Sequence, residues 1–596
     1  MRRARSAVIA ALVCLPLVPA TAHADPPAPV FVDGQAQPVF SPTDVVRESL
    51  WVTAPVDSDR DGHDDKVYVE VVRPRATEAG MKVPVVYQAS PYYSGGNDVP
   101  NHNVDVELYV PGKPRPHAGR GEIVSAVGPS PAITWRYEQY FTARGFAVVY
   151  AESLGTGKST GCPTTGGRNE TIGARSVVDW LNGRAEGADA SGAAVSAEWS
   201  TGKVGMMGVS YNGTLPNAVA STGVEGLETI VPIAAISNWY DYYRSDGAVV
   251  AAGGFQGEDA DVLAEYVYTR EDRDVCRPVI EELLAEQDRV TGDYSHFWDE
   301  RNYLNDVHKV EASVLAVHGL NDWNVKTRQV VQWYELLKRH GVEHRIWLHQ
   351  FGHSDPYNVN RDAWLVLLNR WMSHYLYDVD NGVERENKST IQREDRTWAE
   401  EAEWPAPGTR PVTVHPIAGG DTTGGLAVRK GKGRETVVDD ATKRAEDLAA
   451  AATSPHRLSY ATGALATDLR ISGTVRADLR LSFSRPAANV TALLVDRAPD
   501  GSVKVVTRGW ADPQNRHSEW RTSPVKPGHA YNIRVNFMPD DYVFRAGHSL
   551  GVVVLSSDHD YTLRPRPGAE FTVDLGRSAV TLPVVGGRSA LHDALG

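Results

Sequence analysis

The stretch "KVGMMGVSYNGTLP", Lys203 to Pro216, is an apolar, β-rich run that ends in Gly208-Val209-Ser210-Tyr211-Asn212-Gly213 and passes straight into a helix-like segment. One serine flanked by glycines between a strand and a helix is what a nucleophile elbow needs, because the backbone must turn sharply and lift the hydroxyl above the sheet. The spacing here is G-x-S-x-x-G instead of the commoner G-x-S-x-G. Glycine and serine also fill strand-to-helix turns for steric reasons alone. Ser210 is therefore read as a nucleophile only if partners for it exist elsewhere in the chain.

Outward from this stretch, short β-rich runs alternate with amphipathic ones. The runs are VYVEVV (67–72), VPVVYQA (83–89), FAVVYA (146–151), KVGMMGV (203–209), ETIVPIAAI (228–236), SVLAVHG (313–319) and HRIWLH (344–349). Helix-like segments cover 133–144, 170–181, 211–222, 326–340 and 362–377. Strands alternating with helices predict a mostly parallel sheet covered on both faces, an α/β domain over residues 25–390. Residues 238–311 interrupt the alternation with polar helix-forming sequence between two strands. An insertion there roofs the carboxyl edge of the sheet, where open α/β folds bind ligands, and reads as a helical cap. From 391 to 596 the texture changes, through the Pro- and Gly-containing WPAPGTRPVTVHPIAGGDTTGG, to short alternating runs such as LRISGTVRADLRLSFS, NVTALLVDRA and SLGVVVLSS, the pattern of a β-sandwich.

A serine hydroxyl is a poor nucleophile until a base accepts its proton, and the base needs a carboxylate to hold its tautomer. In this fold the chain order is Ser, acid, His, with the acid and the His on loops after later strands. SVLAVHG is followed by Leu320-Asn321-Asp322-Trp323-Asn324, and HRIWLH by Gln350-Phe351-Gly352-His353-Ser354. Asp322 and His353 thus complete the expected triad with Ser210. His318 and His349 lie inside predicted strands and read as core or supporting groups. Asp355 follows the histidine too closely to meet its far nitrogen. The oxyanion needs preorganised donors. The backbone N–H of Tyr211 is one, and a hydroxyl of Tyr92 or Tyr93 in VPVVYQASPYYSGG is the other.

The opening residues MRRARSAVIAALVCLPLVPATAHADPP combine Arg2, Arg3 and Arg5, an apolar run too short to span a bilayer, and Ala22-His23-Ala24. They predict a signal peptide over 1–24 and an exported protein. Cys14 lies inside the run, not at its end, which argues against a lipid anchor. No later stretch approaches the ~20 apolar residues a membrane helix requires. Without the signal, 58 basic side chains face 75 acidic ones, a net charge of −17 that repels phosphate backbones and argues against nucleic-acid partners. Only Cys162 and Cys276 remain; a bridge and two buried free thiols are equally good readings. Two apparent cation or phosphate motifs are incomplete. GTGKST (155–160) has Glu152 where a phosphate loop needs its first glycine. DSDRDGHDD (57–65) spaces Asp57, Asp59, Asp61 and Asp65 like a calcium loop but places Tyr68 where the bidentate Glu belongs, and a polar turn is the favoured reading. No metal or other cofactor is expected.

GVSYNGTLPNAVASTGVEGLETIVPIAAISNWYDYYR (208–244), with GFQGEDADVLAEY, FWDERNYL, HGLNDWNVK and the FGHSDPY segment, closely resembles the Xaa-Pro dipeptidyl-peptidase family of serine peptidases. Cocaine-esterase-like and α-amino-acid ester hydrolases share the G-x-S-Y-x-G elbow. WYDYYR, GEDADVLAEY and HGLNDWNV point to the peptidase. The resemblance runs from about residue 45 to 580 and implies an α/β-hydrolase domain with a helical cap, followed by a C-terminal jelly-roll β-sandwich. It also implies release of N-terminal dipeptides with proline second, from peptide substrates with a free N-terminus. By position, Glu258 then binds the substrate ammonium with help from Asn324, with Asp259 and Asp261 as the fallback anchors. Trp239 and Tyr242, with Tyr92 nearby, wall the proline site, and Tyr92 is the oxyanion donor. The alternative is an esterase or amidase of the same group acting on α-amino esters or acyl amides; a carbohydrate-binding protein with an inactive α/β part must explain an intact triad. Lactic-acid-bacterial members resemble this chain but carry a long N-terminal helical domain linked to dimer formation, whereas about 20 residues lie between Asp25 and the matched region here, so their oligomeric state does not transfer.

Overall fold

The apolar runs become an eleven-stranded sheet in a computed structural model that describes residues 28–116, 119–124 and 135–596. The expected signal peptide lies outside the described residues, as do Ile133 and Thr134 at the start of the first expected helix. In chain order the strands are β1 (Val45–Ala54), β2 (Asp65–Pro74), β3 (Val83–Ser90), β4 (Ala147–Glu152), β5 (Gly187–Ala188), β6 (Ser200–Val209), β7 (Leu227–Ile233), β8 (Ser313–Gly319), β9 (His344–His349), β10 (Ser389–Gln392) and β11 (Trp398–Glu401). Their spatial order is β11-β10-β9-β8-β7-β6-β3-β4-β2-β1-β5. The seven from β10 to β4 are parallel, and antiparallel strands flank them on both sides. Every residue of β3 and of β8 is buried, as continuous Val- and Leu-rich runs require when helices cover both faces. Those helices include α1 (Arg168–Leu181), α2 (Tyr211–Ala220), α5 (Arg328–His340) and α6 (Arg361–Tyr377). Between β7 and β8 stand α3 (Ala260–Val267) and α4 (Arg277–Glu286), with shorter helical turns around them.

Cys162 and Cys276 form a disulfide with Cα atoms 5.5 Å apart, which decides between the two readings left open by the sequence. The bridge fastens the N-terminal end of α4 to the loop after β4. The C-terminal part is a β-sandwich whose two sheets share the strand Thr409–Ile417, paired through Thr409–Val414 with Ala579–Val585 and through His415–Ile417 with Gly425–Ala427. It has its own core, with Leu469, Leu481, Val535, Phe544 and Val584 all fully shielded from solvent. Helix α5 begins against it: the Thr327 hydroxyl donates to the Pro539 carbonyl at 2.6 Å and Arg328 to the Asn536 carbonyl at 3.1 Å. No helix among the described residues is long and apolar enough to cross a membrane.

Candidate active site

Parallel strands expose all their carboxyl ends on one edge, and β6, β8 and β9 deliver Ser210, Asp322 and His353 there. Ser210 stands between β6 and α2 with φ 65° and ψ −128°, a conformation that non-glycine residues avoid and that costs about 1–3 kcal/mol. Neighbours hold it there. The Ser210 N–H donates to the Ile233 carbonyl at 2.8 Å, and the Ser210 carbonyl accepts from the N–H groups of Gly213 (2.9 Å) and Thr214 (2.8 Å). A Cβ at Gly208 would lie 2.5 Å from the Asn212 carbonyl oxygen, and one at Gly213 would lie 2.6 Å from that of Gly208. Both glycines of the motif are therefore steric requirements of the elbow. The Tyr211 N–H is the first of α2 and belongs to the first-turn donors that have no acceptor within the helix.

Asp322 is 2% exposed. Its Oδ1 accepts from the backbone N–H groups of Asn324 and Val325, both at 3.0 Å, and its Oδ2 lies 2.7 Å from His353 Nδ1. The carboxylate thus fixes both the plane and the tautomer of an imidazole whose side chain is 25% exposed. Ser210 and this Asp–His pair stand at the carboxyl ends of three strands of the one sheet. The rivals are buried away from solvent. His318 is wholly buried with Nε2 2.7 Å from the Val325 carbonyl, and burial pushes its pKa down. Burial likewise lowers that of His349 to about 4. Asp355 accepts from the Tyr137 hydroxyl at 2.6 Å and from the Tyr357 N–H at 2.9 Å.

Tyr92 and Tyr93 part company after β3. The Tyr93 hydroxyl donates to Gln88 Oε1 at 2.7 Å and its ring packs edge-on against Tyr150. Tyr92 faces the elbow, with its ring 6.0 Å from that of Tyr211. Desolvation first, and then the negative charge of Glu258, raise the Tyr92 pKa, so its hydroxyl stays a proton donor. The rings continue from Tyr211 to Trp239 (4.9 Å), from Trp239 to Tyr242 (5.7 Å) and from Tyr242 to Tyr243 (4.7 Å). Trp239 is fully buried; its Nε1 donates to the Tyr303 hydroxyl at 3.0 Å, and a Cβ on Gly166 would strike that nitrogen.

Beyond the rings is Glu258, 8% exposed, with Oε1 accepting from the Tyr243 hydroxyl at 3.0 Å. Desolvation raises its pKa to about 7, against the Tyr243 hydrogen bond and with a smaller push from Asp259. The neighbouring acids are already neutralised. Asp259 pairs with Arg244 (2.9 Å) and Arg289 (3.0 Å), and Asp261 with His102 (2.9 Å) and Arg120 (3.2 Å). Glu258 is the acid of GEDAD without a cationic partner among the described residues. Asn324 Oδ1 accepts from the Tyr242 hydroxyl at 2.7 Å, which joins the acid loop to the aromatic wall.

Residues 61–355 match the model of the family described as X-Pro dipeptidyl-peptidase (S15 family), and residues 381–593 match that of the X-Pro dipeptidyl-peptidase C-terminal non-catalytic domain. A Bacillus anthracis chain provisionally named Xaa-Pro dipeptidyl-peptidase is 47% identical over 93% of this chain and 90% of its own length. This chain belongs to the X-Pro dipeptidyl-peptidase family, whose members are serine peptidases. The Xaa-Pro dipeptidyl-peptidase of Lacticaseibacillus rhamnosus is 33% identical over 94% of this chain and 80% of its own. An α-amino acid ester hydrolase structure covers 95% of this chain and 100% of its own, with a TM-score of 0.64 at 18% identity, a likeness of fold.

Several groups of this S15 site escaped the sequence reading. Tyr243 is the partner of Glu258, and only its place in WYDYYR hinted at it. Glu170, in the first turn of α1, accepts from the Tyr211 hydroxyl at 2.5 Å and from the N–H groups of Thr164 (2.8 Å) and Gly166 (3.0 Å). It anchors the ring next to Ser210, and nothing local distinguishes it from a solvated helix acid.

Proposed function

We propose that this chain is an exported serine exopeptidase that releases N-terminal Xaa-Pro dipeptides through Ser210, Asp322 and His353. The observation that carries the substrate assignment is the buried, uncompensated Glu258 carboxylate beyond an aromatic wall. A carboxylate kept from water without a cation is costly, and a substrate α-ammonium supplies the missing charge. The rings of Tyr92 and Tyr242 give flat surfaces against which a pyrrolidine packs, whereas Trp239, expected to share that wall, has no exposed surface and backs the Tyr242 ring instead.

His353 takes the proton of the Ser210 hydroxyl as its oxygen attacks the carbonyl carbon of the substrate proline. Asp322 steadies the imidazolium that forms. The oxyanion accepts from the Tyr211 N–H and the Tyr92 hydroxyl. His353 then protonates the departing amine, which leaves the dipeptidyl ester on Ser210. Water enters by the same route and gives a proton to His353 as it attacks the ester, and His353 passes that proton to the departing Ser210 oxygen, which frees the dipeptide acid and restores the hydroxyl.

Three substrates test the assignment: Ala-Pro-anilide, its N-acetyl form, and a simple α-amino ester. Efficient cleavage of the first with a large loss on acetylation is the expected result. Comparable rates on the first two, or turnover confined to the ester, would reject it.

A further inference from the structure

The turn DSDRDGHDD between β1 and β2 takes no part in this mechanism, yet its acids converge. Counting Asp57 as position 1 puts Asp59 at 3, Asp61 at 5, Gly62 at 6 and Asp65 at 9, the oxygen spacing of a calcium loop. Position 12 is Tyr68, whose hydroxyl is engaged with Glu70 at 3.0 Å. On sequence that departure favours a polar turn. The structure adds two facts. Asp57, Asp59 and Asp61 each bring a carboxylate oxygen within 4.8 Å of the others. Asp59 is 7% exposed, and while its Oδ2 accepts from Arg270 at 2.7 Å and from the Gly161 N–H at 3.2 Å, its Oδ1 is shielded from solvent and has no hydrogen-bond partner. A polar turn leaves that oxygen unexplained, since buried carboxylate oxygens are nearly always satisfied.

We propose that the Asp57–Asp61 turn binds calcium through the carboxylates of Asp57, Asp59 and Asp61. Arg270 divides its single positive charge between Asp59 and Asp272, the latter met at 2.6 and 2.8 Å, and neither Asp57 nor Asp61 has an ion pair among the described residues. The turn keeps an excess of negative charge that favours a divalent cation. An all-oxygen set on a turn suits the adaptable shell of calcium better than the near-ideal octahedron that magnesium demands. Lacking a bidentate Glu, the site belongs to the weak class, with a dissociation constant of about 10⁻⁴–10⁻³ M.

Occupancy fixes more than the turn. Ser58, between two of the ligands, accepts the Cys162 N–H at 2.8 Å on its hydroxyl and donates its own N–H to Asp65 at 2.9 Å. Arg270 reaches the Gly161 carbonyl at 2.7 Å as well as Asp59. Bound calcium therefore braces the segment that carries the disulfide to the cap.

The test is titration calorimetry and thermal unfolding of the whole chain, freed of divalent ions with a chelator, against CaCl₂ or MgCl₂ up to 10 mM. Calcium should bind with a midpoint near ~0.1–1 mM and raise Tm by a few degrees, while magnesium at equal concentration does much less. The double variant Asp57→Asn/Asp61→Asn changes two exposed side chains, keeps amide oxygens for the turn, and should lose both responses. A flat isotherm with no Tm shift in the unaltered chain, an equal response to magnesium, or an undiminished response in the double variant overturns the proposal. If the double variant fails to fold, the calcium-against-magnesium comparison on the unaltered chain still decides.

Discussion

Glu258→Gln should make the protein more stable and a poorer peptidase, and the size of both effects follows from burial. The carboxyl titrates near 7 when folded, against an ordinary value of 4.5, with desolvation as the first cause. The folded state therefore keeps a proton that the unfolded state loses above pH 4.5. Stability attributable to this group falls as pH rises through the window from 4.5 to 7 and stays low above it. A displacement of that size corresponds to about 3 kcal/mol at pH 8 and to little at pH 4.5. Glutamine keeps the acceptor for Tyr243 but has no charge to desolvate. Thermal melts at several pH values should then show the variant gaining on the parent by a few degrees between pH 5 and 8, given that ~1 kcal/mol moves Tm by about 2–4 °C in a mid-sized domain and by less in a larger one. Loss of the partner of a desolvated ammonium costs about 2–5 kcal/mol, so kcat/KM on Ala-Pro-anilide should fall by about 30-fold or more. The N-acetylated substrate should be almost indifferent. In the parent, kcat/KM for charged N-termini should also decline below pH 7 as Glu258 takes up its proton, and the variant should keep only the acid limb that the N-acetylated substrate shows too, which belongs to the general base. Equal losses on both substrates, or a stability difference that does not change with pH, would refute the reasoning.

Ser210→Ala should fold normally and lose about 10⁴-fold or more in kcat. Ser210→Gly should be equally inactive yet melt higher, because glycine relieves the φ of 65° that costs about 1–3 kcal/mol. Asp322→Asn should lower kcat by about 10⁴-fold, since an amide at Oδ2 favours the wrong His353 tautomer, with KM little changed in steady-state assays. Replacing Cys162 and Cys276 together by serine removes a cross-link spanning 114 residues and should cost about 2–5 kcal/mol, seen as a lower Tm, with turnover on the folded fraction retained.

How much of this was legible in advance depended on how local the cause was. SVLAVHG and HRIWLH became strands at their expected boundaries, the first as an apolar run buried throughout and the second around its buried Ile346-Trp347-Leu348 centre. Val45–Ala54 was missed: Arg47-Glu48-Ser49 breaks its pattern, and as a strand near the sheet margin it leaves those residues partly exposed. Thr409–Ile417 was missed for its two prolines, which read as strand breakers but fit where one strand passes between two sheets. The elbow and its glycines could be read because their constraint is steric and spans six residues. The family resemblance picked out Glu258 by position, but the residues of GEDAD themselves did not separate it from Asp259 and Asp261. Arg244, Arg289, His102 and Arg120, from distant parts of the chain, make the distinction by neutralising the other two. The disulfide was undecided for the same reason, since no local rule brings together two cysteines 114 residues apart.

The acid loop explains why a non-catalytic domain bears on the chemistry. Asp322 is held by its own loop amides, but the loop is held by everything around it. The Trp323 carbonyl accepts the Gly253 N–H at 2.8 Å, and the Trp323 ring lies 6.0 Å from Tyr561 and 6.5 Å from Trp510 of the β-sandwich. The Arg508 guanidinium sits 4.9 Å from that ring, itself fixed by Asp558 at 3.0 Å. Lys326, 1% exposed, donates to the Ala251 carbonyl at 2.8 Å, and desolvation lowers its pKa to about 7 against the opposing pull of Asp322. Five consecutive residues thus touch the sheet, the cap and the sandwich. Displacing a catalytic group by about 1 Å costs about 10²-fold in rate, so a loop with this many anchors in separate elements is one whose carboxylate cannot wander. The sandwich thus supports the loop that carries Asp322 through the rings of Trp510 and Tyr561 and the Arg508 guanidinium.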